Sequence, residues 1–164
     1  MSRVNDRPRA PVRRALSLLA AVAALPIAAF FGSCSLEGRE SPPYIIGKPR
    51  CVIGEKPGCY LVAGIEFEFY NTDARELRSL SVNALVYDRE TRENPLIGSN
   101  RIAATLTDSL PGGSKAALAI ALDPYLCEIP SAPYIVDFFS VTRVEYADGT
   151  SWTDPYGLFH AGSE

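Results

Sequence analysis

Between Leu61 and Asn71 the chain alternates strictly: Ile65, Phe67 and Phe69 are interleaved with Glu66, Glu68 and Tyr70. A period of two puts successive side chains on opposite faces of an extended backbone. With β-branched and aromatic residues on one face and carboxylates on the other, the segment predicts a strand with one side in a core. Glu66 and Glu68 then read as a solvated outer face rather than as paired carboxylates for acid–base work.

The pattern recurs along the chain. Leu80, Val82, Ala84 and Val86 share one face of a predicted strand over 80–88, and the partly apolar opposite face suits a central position. Cys51–Ile53 and Arg101–Leu106 are shorter candidates. The segment 88–94, DRETREN, reads as a charged turn; Asp88, Glu90 and Glu93 lack the spacing of a calcium loop. Residues 110–123, LPGGSKAALAIALD, set propensity against pattern. Ala and Leu favour helix, yet Leu118, Ile120 and Leu122 alternate with Ala117, Ala119 and Ala121. The alternation predicts a strand over 115–122 with its small face outward; a helix is the other possibility. Tyr134–Tyr146 is a long strand carrying Val136, Phe138, Ser140, Thr142, Val144 and Tyr146 on one face, with a bulge expected near Ser140 to switch the buried set. Asp148-Gly149 between β-formers predicts a type I′ hairpin leading to Thr150–Thr153. About seven short strands without a helix give an all-β chain, an Ig-like antiparallel β-sandwich, with a small barrel as the second choice.

The N-terminal region is of another kind. Arg3, Arg7, Arg9, Arg13 and Arg14 precede an apolar run from Ala15 to Phe31, interrupted by Pro26 and ending in small residues. A basic region, an apolar region and small residues before a cut are the marks of a secretory signal. Phe31-Gly32-Ser33-Cys34 resembles the lipobox of bacterial lipoproteins, of the spirochaete type that accepts a bulky residue three places before the cysteine. The resemblance implies a leader over 1–33, a lipid on Cys34, and a membrane reached through that lipid. Each buried CH₂ contributes ~0.8 kcal/mol, so two or more acyl chains hold firmly where one holds marginally. Residues 34–43, with Gly38, Pro42 and Pro43, read as a tether, and 44–164 as the folded domain. Ser35 stands where some inner-membrane lipoproteins carry Asp, which by analogy favours an outer location.

From residue 34 onward there are 11 Lys and Arg against 18 Asp and Glu, a net −7, with no basic run. Nucleic acid is a poor partner for such a domain, because its phosphates demand clustered cations. In an oxidising compartment Cys51 and Cys59, flanking Gly54 and Pro57-Gly58, are candidates for a disulfide; Cys127 is a less favoured partner. Three cysteines and one distant His160 do not make a zinc pattern, and no cofactor is implied.

The stretches FEFYNTDARELRSLSVNALVYDRE, LPGGSKAALAIAL and VTRVEYADGTSW resemble the Ig-like domains of bacterial surface lipoproteins of the FxLYD type. The likeness rests on Asn71, Tyr87-Asp88, Pro111-Gly112, Asp148-Gly149 and Trp152, with Val86 where the namesake pattern has Leu. It implies binding or spacing and brings no catalytic residues. His160 stands four residues from the end, and no nucleophile elbow or phosphate-cradling glycine loop is present. The expectation is a lipid-anchored, non-enzymatic envelope protein that recognises an envelope protein or glycan. A structural component of an envelope complex is the alternative. Trp152 reads first as a core plug, and with Tyr156 and Phe159 as a candidate contact patch.

Overall fold

The computed structural model describes residues 41–161; the leader, Cys34 and the first part of the tether lie outside the described residues. In chain order the strands are β1 (Tyr44–Ile46), β2 (Arg50–Ile53), β3 (Ala63–Asn71), β4 (Leu77–Tyr87), β5 (Arg101–Leu106), β6 (Lys115–Ala121), β7 (Ile135–Tyr146) and β8 (Ser151–Thr153). A single 3-10 turn, Asp123–Tyr125, follows β6.

Two antiparallel sheets result. In the first, β3 pairs with β6 on one side and with both β1 and β2 on the other. β1 meets the end of β3 (Tyr44↔Asn71) and β2 meets its start (Ile53↔Ala63), so the two short strands are halves of one kinked edge. The amide of Gly47 bridges the kink by donating to the Glu68 carbonyl at 2.8 Å. The second sheet has the order β5-β4-β7-β8. The chain changes sheet from β3 to β4, from β5 to β6 and from β6 to β7. In Ig lettering this is A-B-E facing C′-C-F-G, a sandwich of the expected all-β antiparallel class.

The alternation of β3 is realised: Ile65, Phe67 and Phe69 are buried, and Phe67 meets Phe139 of the opposite sheet with ring centroids 4.7 Å apart. Leu80, Val82, Ala84 and Val86 line the facing strand. Burying each larger apolar side chain contributes about 1.5–3 kcal/mol. β6 is a strand, with Ile120 and Leu122 buried and Ala117 outward. Its alternating side-chain size outweighs the helix propensity of Ala, because only the extended form puts all its large residues on β3's buried side.

Three expectations are corrected. β7 switches its buried set twice, not once. Register slips place one extra residue opposite Ala84 and another, Thr142, beyond Val141. The buried residues are therefore Val136, Phe139, Val141, Val144 and Tyr146, while Phe138 is turned outward with a left-handed φ of 44°. The 146–151 hairpin is present but is not type I′. Only Gly149 (φ 86°) is left-handed; the amide of Gly149 donates to Tyr146 O, and the amide of Tyr146 to Thr150 O. That is a three-residue loop ending in a glycine bulge. Asp148 stays right-handed while its carboxylate accepts from the Thr150 amide at 2.8 Å.

The third correction concerns the disulfide. Cys51 and Cys59 are free thiols, as is Cys127. Cys51 sits within β2 opposite Ile65, whereas the chain reverses at the tip, where Lys56 pairs with Tyr60. Cys59 lies at that tip, about six residues along the hairpin from Cys51. At ~3.3 Å per residue this far exceeds the ~7 Å limit for bridged Cα atoms. β1 is an element that the alternation did not reveal.

Candidate functional site

β8 covers β7 only over Arg143–Glu145, and Ala161 bridges Phe139 below it. Among the described residues no strand pairs with that same edge of β7 over 135–138. Beside this open edge, across the seam between the sheets, runs β2. A cavity of about 610 Å³ lies there, walled by Lys48, Pro49, Arg50 and Cys51 on one side and by Pro133–Val136 on the other. Arg89 and Arg92, from the β4–β5 loop, complete it. No Asp or Glu lines it.

The three arginines are placed by local chemistry. Buried Pro49 ends the kink between β1 and β2, and Arg50 opens β2. Its Nη2 lies 3.3 Å from Glu66 Oε2 across the strand pair. The 88–93 loop is wound around Asp88. Its carboxylate accepts from the amides of Glu90 and Thr91, both at 2.8 Å, and its backbone carbonyl accepts from the Arg92 amide at 3.2 Å. Those amides, Thr91 first, hold the Asp88 carboxyl below its ordinary pKa. The winding forces Arg92 into the left-handed region at φ 61°, unusual for a residue with a Cβ. Arg89 Nε donates to Pro133 O at 3.3 Å, tying the loop to the start of β7. The Arg92 guanidinium has no protein partner among the described residues.

The floor is different in character. Burial pushes the Cys51 thiol above its ordinary pKa, against smaller opposing effects of the Tyr134 backbone and of Arg89. Burial likewise raises the phenol of Tyr134. Both groups are neutral at pH 7, so neither offsets the charge of the arginines above them. A neutral thiol is a weak nucleophile, and the sole histidine, His160, is stacked on Phe138 at 4.5 Å instead of facing it.

The residues singled out from sequence lie elsewhere. Trp152 is only 9 % exposed and packs edge-on against Tyr44 at 5.3 Å, with Phe159 at 6.1 Å. Tyr156, at 77 %, is the one exposed member of the expected contact patch, so the three do not form one surface. Trp152 and Phe159 belong to the packing that closes the sandwich. Glu66 is held by Lys56 at 3.0 Å, by the Tyr60 hydroxyl at 2.9 Å and by Arg50, and these partners, Lys56 first, lower its pKa. Among the described residues no cluster of three or more His, Cys, Asp or Glu is placed to hold a metal. The one sequence sign of the cavity was Arg89 and Arg92 in the charged turn, which reads equally well as solvated surface.

No protein-family model and no curated protein match the chain. Among solved structures, a 1.85 Å X-ray structure of a hypothetical protein from Peptoclostridium difficile 630 is similar over 71 % of this chain and 88 % of its own. The TM-score is 0.52 at 9 % identity, and the likeness is one of fold.

Proposed function

We propose that this chain is a non-catalytic binding module of the cell envelope, held to a membrane by lipid on Cys34 and recognising an envelope component through the seam between β2 and β7. One observation carries the reading: four cationic side chains surround a ligand-sized cavity with no acidic residue in its wall. Cavities of roughly 300–1,000 Å³ are the usual size for small-ligand sites. The lipobox-like Phe31–Cys34 supports the anchor, and the Ig-like sandwich suits a module that binds rather than transforms.

Crosslinking in whole cells tests it. The wild type is expected to capture an envelope component, and Arg89→Gln/Arg92→Gln to lose most of that capture while folding normally. Radiolabelled palmitate is expected in the wild type and absent from Cys34→Ala. Capture that is stoichiometric and indifferent to Arg89 and Arg92 would instead make the chain a structural component of a complex.

A further inference from the structure

We propose that the β2–β7 cavity is a site for a phosphate ester, with the phosphate taken by Arg89 and Arg92 and the organic part resting on the Pro133–Tyr134 wall. The proposal deepens the binding-module reading and rests on it.

The charge is the first argument. From residue 34 onward the chain is net acidic, yet this cavity gathers Lys48, Arg50, Arg89 and Arg92 with no carboxylate among its walls. With Arg50 already steadied by Glu66, the charge presented by the β4–β5 loop is that of Arg89 and Arg92. A phosphate monoester carries about −1.5 to −2 at neutral pH and a diester about −1, and either offers at least two non-bridging acceptor oxygens to the two guanidinium groups. The planar guanidinium fork matches phosphate geometry in pairs of parallel hydrogen bonds.

The second argument is construction. These arginines are exposed, and each is positioned at its side chain or its backbone. Arg89 is fastened by Nε to the Pro133 carbonyl, and Arg50 is steadied by Glu66. Arg92 is kept in a left-handed conformation by a loop that Asp88 caps. Strained backbone that persists at the rim of a cavity is a recurrent feature of ligand sites. A loop without such a task would relieve the strain with glycine, as the chain does at Gly149 and Gly157.

The third argument is the wall. Pro49, Pro133, Ile135 and Val136 give the cavity apolar surface beside its cations. The combination fits a charged group joined to a carbon skeleton better than a bare inorganic ion. Such an ester could come from a soluble metabolite, as a monoester, or from a lipid headgroup, as a diester.

Isothermal titration calorimetry of the full chain in detergent, at low salt, tests the assignment with glycerol 3-phosphate as the monoester and glycerophosphoglycerol as the deacylated diester headgroup. Saturable binding of at least one is expected. Tighter binding of the first points to a soluble source, and of the second to a headgroup; either supports the site. Arg92→Gln, which breaks no protein contact, is expected to weaken binding about threefold, and Arg89→Gln/Arg92→Gln about tenfold or more. Arg143→Gln, a substitution in an exposed pair with Glu145 away from the cavity, is expected to change nothing. The proposal is overturned if neither ester binds, if glycerol binds equally well, if citrate alone binds, or if Arg143→Gln weakens binding as much as Arg92→Gln. Failure of the titrations with cellular capture still dependent on Arg89 and Arg92 would reject the phosphate ester and leave the binding module standing.

Discussion

At the end of the sandwich where β3 runs into β4, Arg75 is held by its surroundings. It makes paired hydrogen bonds to Asp73 at 3.0 and 2.6 Å, donates to Thr150 Oγ1 at 2.7 Å, and lies 3.8 Å over the ring of Tyr146. Beneath it, buried Asn71 donates to the carbonyls of Arg75, Leu110 and Pro111 and accepts from the Asp73 amide. At the β2–β7 seam, Arg92 has no such company and its backbone is strained. One end uses its polar groups to join three loops of the fold. The other presents charge to a space. In the function proposed above, the same residue type serves architecture in one place and recognition in the other, and the number of partners distinguishes the two.

The comparison can be broken most easily at Asn71. Asn71→Ala removes four hydrogen bonds around a buried side chain and takes the Asn71 donor from the Arg75 carbonyl, while Leu110 O keeps the Leu77 amide and Pro111 O keeps Ser114; it is expected to cost about 3 kcal/mol. That is a fall of roughly 10 °C in thermal midpoint, read by calorimetry, with glycerol 3-phosphate binding unchanged at a temperature where the variant is folded. A loss under 0.5 kcal/mol (an order-of-magnitude threshold) would show that the network is ornamental.

Asp73→Asn sharpens it further. Arg75 beside Asp73 holds that carboxyl well below the usual carboxylate range. A depressed folded pKa contributes stability that is complete above the unfolded value of about 4 and is lost as the pH falls from there. The pair is partly exposed, so the wild type is expected to exceed Asp73→Asn by no more than about 1 kcal/mol at pH 7. The difference should shrink as the pH falls below about 4 in parallel denaturant titrations.

At the seam the sign reverses. Arg92→Gly releases the left-handed strain and is expected to stabilise the domain by about 0.5–1 kcal/mol while weakening phosphate-ester binding. Gain of stability with loss of binding marks a residue kept for function. Loss of both would make Arg92 structural.

The smallest expected change is in thiol reactivity. In a Cys34→Ala background a thiol reagent is expected to modify Cys59 and Cys127 promptly, and buried Cys51 only on unfolding. Rapid, equal modification of all three would mean that the β2 edge opens freely.

Much of the sandwich was legible because alternation is a local property. Ile65, Phe67 and Phe69 declared a buried face, and Leu118, Ile120 and Leu122 overruled the alanines around them. The turn signals were legible in place and less so in kind. Pro57-Gly58 and Gly149 turn the chain, but whether a turn joins or separates two cysteines depends on strand register, which no short window contains. Asn71 and Pro111-Gly112 stood out in the sequence as separate motifs. The fold shows them to be one contact: a Cβ on Gly112 would lie 2.2 Å from the Ala74 carbonyl oxygen. The cavity was the least legible feature. Its cations come from two places in the chain, 48–50 and 89–92, each flanked by acids or prolines that dilute the charge of any window. Only the pairing of β2 with β3, and of β4 with the start of β7, brings them together.

The most direct test of the account is amide chemical-shift mapping on the isotopically labelled full chain titrated with glycerol 3-phosphate. Saturating shifts confined to Lys48–Cys51, Arg89–Arg92 and Tyr134–Val136, with Asn71–Arg75 and Asp148–Thr150 silent, are predicted. Shifts spread equally over both ends, or concentrated around Arg75, would contradict it.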